Sequence, residues 1–251
     1  MTPPLILSLE TATMGGSVWL GYETVGLATR IGDPKVSQSA TLLKDISDCL
    51  DEAGAKLAEV DLFACASGPG SFTGLRIGIA TLKALAASLD RPCVGIPTLE
   101  AVAHAGGISA ATVALLPAGR GEVFAQKFSV AEDGKVVELD SAAHLTPAAL
   151  LARYAGLKSL KWAGSGAHLH RSLLAKSADD QGIYFLEDLI EEKKAEPGVG
   201  IWELAAPQPN LAKHVAALAL QLFQSAALQL PHSLKAIYVR PSDAELNQKC
   251  P

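Results

Sequence analysis

The 251-residue sequence is poor in charge: 19% of its residues are Asp, Glu, Lys or Arg, against 49% hydrophobic. That apolar surplus excludes global disorder. A basic excess is also missing, since 21 Lys and Arg face 26 Asp and Glu for a net charge of −5. The chain therefore has no general field with which to grip a nucleic acid, and an RNA role needs a local patch or a basic partner. Cys49, Cys65, Cys93 and Cys250 are widely spaced and form no Cys-x-x-Cys pair, which excludes a disulfide-stapled secreted fold and predicts reduced thiols. The histidines include no His-Glu-x-x-His; the nearest approach to a ligand pair, His168-Leu169-His170, follows a glycine turn in a predicted helix, where that spacing splays the rings apart, so neither a metal nor a cofactor is expected. No Gly-x-Ser-x-Gly elbow offers a nucleophile. Long uninterrupted hydrophobic runs are absent too. The two stretches free of charged residues, Ala101 to Gly119 and His214 to Leu234, are broken by Gly106, Gly107 and Pro117 and by Gln221, Gln224, Gln229 and Pro231, which suits buried elements rather than bilayer helices of about 20 apolar residues. Met1 to Leu9 has no basic region and too short an apolar run for a signal peptide, so a cytoplasmic location with no membrane contact is expected.

What is present is a mixed α/β order. Leu5–Leu9, Ser17–Tyr22 and Val25–Ile31 read as strands, after which Leu42, Leu43, Ile46, Cys49, Leu50 and Ala53 recur at helical spacing up to Gly54. Val60–Ser67 reads as a buried strand running into Gly68-Pro69-Gly70-Ser71-Phe72-Thr73-Gly74, with a helix to about Leu89 and a strand at Cys93–Ile96. Beyond Pro97 the spacing predicts helices at Thr98–Ala105 and Pro147–Tyr154, and strands at Thr112–Leu116, Glu122–Val130 and Leu160–Ala163. Hairpins followed by alternating helix and strand predict mixed sheets with flanking helices. The Gly106-Gly107 punctuation suggests a first lobe of 1–105 and a second of 106–251.

Three features bear on function. Gly68, Gly70, Ser71, Thr73 and Gly74 sit between strand and helix, where backbone N–H groups at the positive helix end can hold an anion; Gly70 is able to take positive φ, and Ser71 or Thr73 can cap the helix. No Lys follows the last glycine and the GxGxxG spacing is missed, so the competing reading is a capped turn. The following helix has two faces: Leu75, Ile79, Leu82 and Leu89 form an apolar stripe, and Gly74, Gly78, Thr81 and Ser88 form a line of small side chains, with Arg76 and Lys83 as a narrow charged strip. Such a helix is either internal or meets another protein. Ser141 to Ala178 contains no acid and five bases, Arg153, Lys158, Lys161, Arg171 and Lys176, whereas Asp179 to Glu196 holds seven acids against two lysines. The basic block could touch RNA phosphates, or the two blocks could neutralise each other.

The segments LILSLETAT (5–13), SQSATLLKDISDCLDEAG (37–54), ASGPGSFTGLRIGIATLKALA (66–86), PCVGIPTLEAVA (92–103), GRGEVFAQKF (119–128) and IYVRPSDA (237–244) resemble the bacterial TsaB/YeaZ family of tRNA threonylcarbamoyladenosine biosynthesis proteins. The resemblance is dense over the first hundred residues and patchy after them, weakest over 178–208, and GPGSFTGLRIG is its most specific element. It implies a fold of the actin, Hsp70 and sugar-kinase type (ASKHA) with two related lobes, the C-terminal segment packing back on the first. It implies a non-catalytic subunit that pairs with the homologous transferase TsaD, assisted by the ATPase TsaE, in forming threonylcarbamoyladenosine beside the anticodon of tRNAs reading A-starting codons. Contact with tRNA is then indirect, and self-association is a further expectation. Carried onto this chain, the family's helical interface falls on Leu42, Leu43 and Ile46 and on Leu75, Ile79 and Leu82.

Three departures bear on chemistry. Glu10 stands where the family has Asp, Ser37 to Thr41 contains no histidine of the transferase's metal pair, and Pro117-Ala118-Gly119-Arg120 replaces an Asp-Ala-Arg run. The alternative functions are an ATP-dependent phosphotransferase of the sugar-kinase fold, which would place its acid at Glu10 but needs metal-binding acids that the sequence does not supply, and a metalloprotease, which lacks its histidines.

Overall fold

A computed structural model describes residues 3–23, 25–36, 38–187, 198–225, 228 and 231–240. In chain order its elements are β1 (Leu5–Glu10), β2 (Ser17–Tyr22), β3 (Val25–Ile31), α1 (Gln38–Ala53), β4 (Leu62–Gly68), α2 (Phe72–Ser88), β5 (Cys93–Pro97) and α3 (Thr98–Ala105). Then come β6 (Ser109–Gly119), β7 (Glu122–Val130), β8 (Val136–Glu138), β9 (Ala143–Leu145), α4 (Pro147–Tyr154), β10 (Ser159–Ala163), α5 (Ser165–Leu169), α6 (Arg171–Asp180), β11 (Tyr184–Glu187), β12 (Ile201–Leu204) and α7 (Leu211–Gln224). Among the described residues no helix is long and apolar enough to cross a membrane. The chain divides into two compact units, 1–101 with 209–251, and 102–208; α7 therefore belongs with the first unit, beside strands some two hundred positions earlier.

In the first unit the strand order is β3-β2-β1-β4-β5. β1, β2 and β3 form an antiparallel meander, and β4 and β5 run parallel to β1. All six residues of β1 are buried because helices cover both faces, which is why it is a near-continuous apolar run rather than an alternating one. Strand alternation assigns the faces. The Ser8 hydroxyl donates to the Ala212 carbonyl of α7 at 2.7 Å, whereas Thr11, of opposite parity, lies against Gly78 of α2. α1 packs beside α2. It ends at Gly54, whose φ of +62° closes the last turn, with the Ala55 N–H donating back to the Leu50 carbonyl at 3.0 Å.

The second unit repeats the plan. Its order is β11-β12-β10-β6-β7-β8, with β9 on β7; β6, β7 and β8 form the antiparallel meander, and β10, β12 and β11 run parallel beside β6. Two sheets built as a meander plus parallel strands, each with flanking helices, are the two related lobes of an ASKHA-like fold. The core of this unit centres on Trp162 and Trp202, edge to face with ring centroids 5.1 Å apart, and on Tyr154 against Trp162 at 5.9 Å. The Trp202 indole N–H donates to the Leu157 carbonyl at 2.8 Å, so its ring is buried without an unpaired donor.

Candidate functional site

The candidate groups of the first unit gather where β1 and β4 end. Glu10, the last residue of β1, is 1% exposed, and the chain bends back on it. Its carboxylate accepts the Thr13 backbone N–H at 2.8 Å and the Thr13 hydroxyl at 2.6 Å. Burial pushes this carboxyl above its ordinary range, and the Thr13 hydrogen bonds pull it only part of the way back. Beside it lies a recess of about 10 Å³ lined by Glu10, Thr11, Arg30 and Asp45, room for about a single water.

The sign of the pH effect at Glu10 follows. The folded chain holds this proton more tightly than the unfolded one, so the stability contributed at Glu10 is lost as pH rises from the ordinary carboxylate range through the raised folded pKa. Glu10→Gln removes the charge and keeps an acceptor for the Thr13 N–H. In thermal melts its melting temperature should match the parent's near pH 4, where both states of the parent carry the proton, and exceed it by a few degrees near pH 8. A variant less stable than the parent at about pH 8 would contradict this sign.

The glycine loop is folded onto the same strand ends. It is Gly68 that takes positive φ, +114°, and not Gly70, as expected from sequence. Gly70 is required for a different reason: a Cβ there would lie 2.5 Å from the Ala12 carbonyl oxygen. Ser71 is the helix cap, accepting the Gly74 N–H at 3.2 Å, and Thr73 is an exposed residue of the first turn. The Gly68 N–H donates to the Thr98 hydroxyl at 3.0 Å and the Ser71 N–H to the Ala12 carbonyl at 2.7 Å. Three of the N–H groups an anion would need are thus spent on the protein itself.

α1 and α2 turn most of their apolar candidates inward. Leu42 and Ile46 on α1, and Leu75, Ile79 and Leu82 on α2, are all buried, whereas Leu43 is 67% exposed. The small residues of α2 divide between its faces: of the line Gly74, Gly78, Thr81 and Ser88, the two glycines are buried and Ser88 is exposed. Gly74 and Gly78 point into the core, because a Cβ on Gly78 would lie 2.1 Å from the Thr11 hydroxyl oxygen, so only glycine allows α2 to approach β1. The outward line is Thr73, Ala80, Ala84 and Ala87, at an i, i+7, i+11, i+14 spacing that the apolar pattern concealed because alanine serves equally well inside and outside.

In the second unit the basic block is largely paired. Arg153 meets Asp140 at 3.0 Å, Lys161 meets Glu203 at 3.4 Å and Arg171 meets Glu187 at 3.7 Å, while Lys158 and Lys176 are exposed. Only Glu187 belongs to the acidic block; its residues 188–196 lie outside the described residues, as do Ser37, Cys250 and 241–244 of the C-terminal motif. Asp140 is a hub that sequence reasoning passed over: it also accepts the Tyr154 hydroxyl at 3.1 Å and the Lys127 N–H at 2.7 Å. Removing it leaves the buried Tyr154 phenol without its acceptor and Arg153 with the Ser141 carbonyl alone, so Asp140→Ala should cost about 1–3 kcal/mol in urea unfolding. His168 Nε2 lies 3.0 Å from the Ala205 carbonyl, and among the described residues no group of three or more His, Cys, Asp or Glu is placed to hold a metal.

Comparison with known proteins places this architecture. Residues 36–238 match the family of TsaD, tRNA N6-adenosine threonylcarbamoyltransferase. The chain is 34% identical over 133 residues to the tRNA threonylcarbamoyladenosine biosynthesis protein TsaB of Escherichia coli, covering 51% of this chain and 57% of that one. It is 37% identical over 101 residues to TsaB of Haemophilus influenzae, covering 40% and 42%. The matched stretch thus spans about half the length of these curated relatives. A solved structure of YeaZ from Pseudomonas aeruginosa shares the fold with a TM-score of 0.69 at 24% identity, covering 94% of this chain and 99% of that one. With a family match over most of its length, the chain belongs to the family that the threonylcarbamoyltransferase TsaD represents, and within it to the TsaB/YeaZ proteins.

Proposed function

We propose that this chain acts in threonylcarbamoyladenosine formation on tRNA as a non-catalytic subunit that binds and supports a TsaD-like transferase, with a TsaE-like ATPase completing the assembly. The modified position is the adenosine next to the anticodon of tRNAs reading A-starting codons, and tRNA is met through the complex. The observation that carries the reading is the pair of adjacent helices α1 and α2. Their inward faces are sealed by Leu42, Ile46, Leu75 and Leu82, and their outward faces present Leu43 and the line Ala80, Ala84 and Ala87. Small outward residues let a second helix approach to about 8 Å, and an exposed leucine beside them supplies apolar area that is gained only on association.

The chemistry at the strand ends supports the same reading. A general base must reach a substrate proton, yet the Glu10 carboxylate is buried and bound to Thr13 of its own chain. The direct test is to mix the purified chain with the TsaD-like protein of the same source and measure the complex mass by light scattering. A stable complex of the two chains is expected, with self-association of the free chain competing for the same helices. Absence of a complex, together with Mg²⁺-dependent ATP hydrolysis by the chain alone that is lost in Glu10→Ala, would establish the phosphotransferase instead.

A further inference from the structure

One cluster of exposed side chains in the first unit lies at the start of α2, where Arg76, one turn before Ala80, opens the outward face just described. Phe72, the first residue of α2, is 37% exposed and stacks on Tyr238, itself 48% exposed, with ring centroids 5.3 Å apart. One turn along α2, the Arg76 guanidinium sits 4.2 Å from the Phe72 ring centroid. Arg76 makes no ion pair among the described residues. Ile237, 39% exposed, adjoins Tyr238 in the chain.

The backbone under this cluster is held firmly. Residues 231–240 lie along α2: the Lys83 ammonium donates to the Leu234 carbonyl at 3.3 Å and reaches the His232 carbonyl at 3.5 Å. The Ile237 N–H donates to the Ser67 carbonyl at 2.7 Å, and the Leu234 side chain is buried beside Gly95. The exposed rings therefore project from a fixed base. Two aromatic rings and an isoleucine at the surface retain unburied apolar area of the kind that marks an interaction site, and aromatic residues with arginine are the composition of binding hot spots. Rings on a fixed backbone lose little freedom on binding.

Charge decides what binds. A guanidinium lying on a ring is weakly hydrated and keeps its edge donors in a fork that matches a carboxylate. A polyanion is disfavoured: α1, which packs beside α2, carries Asp45, Asp48, Asp51 and Glu52 against Lys44, and the whole chain has a net charge of −5. A single carboxylate among apolar side chains meets both requirements. Building on the partner reading above, we infer that Phe72, Arg76, Ile237 and Tyr238 form a docking knob that extends the α1–α2 surface and receives an acidic, apolar-flanked segment of the transferase partner.

The test is isothermal titration of the full chain with the TsaD-like protein of the same source, comparing Arg76→Glu, Arg76→Gln and Tyr238→Ala with Ala84→Arg on the outward face of α2. Arg76→Glu and Tyr238→Ala should each weaken the complex about tenfold to a hundredfold. Arg76→Gln, on an exposed residue that leaves the fold intact, should lose less than Arg76→Glu and flatten the salt dependence. If all three knob variants bind like the parent while Ala84→Arg loses the complex, the helical interface stands and the knob is refuted. If Ala84→Arg is also silent, both readings fall. Unchanged partner affinity with weakened binding of unmodified tRNA would overturn the knob in favour of an RNA contact.

Discussion

Ala84→Arg should weaken the complex with the TsaD-like partner by more than about a hundredfold while leaving the melting temperature of the chain within about 2 °C of the parent. Ala84 is exposed in the middle of α2, and arginine is nearly as good a helix former as alanine, so the isolated fold has no reason to respond. In a close helix pair the new side chain has nowhere to go, and its charge would be buried without a partner. Ala84→Ser, which stays small, should retain the complex. The contrast with Ile79→Glu is instructive: Ile79 is 8% exposed, so a carboxylate there lands in the core, and the expected result is loss of soluble protein rather than loss of a contact. Retained complex in Ala84→Arg, measured by light scattering, would move the interface off this face.

Gly68→Ala should be among the most damaging single substitutions in the chain, at about 3–5 kcal/mol, or a fall in melting temperature of roughly 10 °C. Two penalties add at one atom. The φ of +114° is a conformation that side-chain-bearing residues adopt only under strain. The added Cβ would also lie 2.3 Å from the Ile237 carbonyl oxygen, which is fixed there because the neighbouring N–H bonds to Ser67. Relief requires displacing the segment that carries Tyr238, so hydrogen exchange should show loss of protection at the Ile237 amide as well. Gly54→Ala, also at positive φ but with open space around the Cβ position, bears the conformational penalty alone and should cost about 1 kcal/mol. Equal losses at the two positions would mean that packing against Ile237 contributes nothing.

Much of the architecture was legible in the residues. The period change after Ile31, the buried run before Gly68 and the helix opening at Thr98 each corresponded to an observed element, and Glu122–Val130 and Pro147–Tyr154 emerged with the expected bounds. The short strands β8, β9, β11 and β12 were not, since three or four residues carry too little periodicity to be distinguished from loop. The candidate site was read less well. A helix pattern shows which residues are apolar, not which apolar residue finds a partner inside: Leu42 and Leu43 are chemically identical neighbours, and one is in the core while the other faces water. The bases of 153–176 looked like a patch because Asp140, which pairs with Arg153, falls just outside the acid-free run, and Glu203 reaches Lys161 only through the pairing of β10 with β12.

The sequence by itself determined the class of fold and narrowed the cap of α2 to Ser71 or Thr73, because these depend on local conformational preference and on which residue types stand at the helix start. Only the tertiary structure decided that Gly78 is a point of contact with Thr11 and that Tyr238 meets Phe72. Each of those joins positions far apart in the chain whose distance in space is set by the whole unit, and a single long-range contact leaves no periodic trace in the order of residues along the chain.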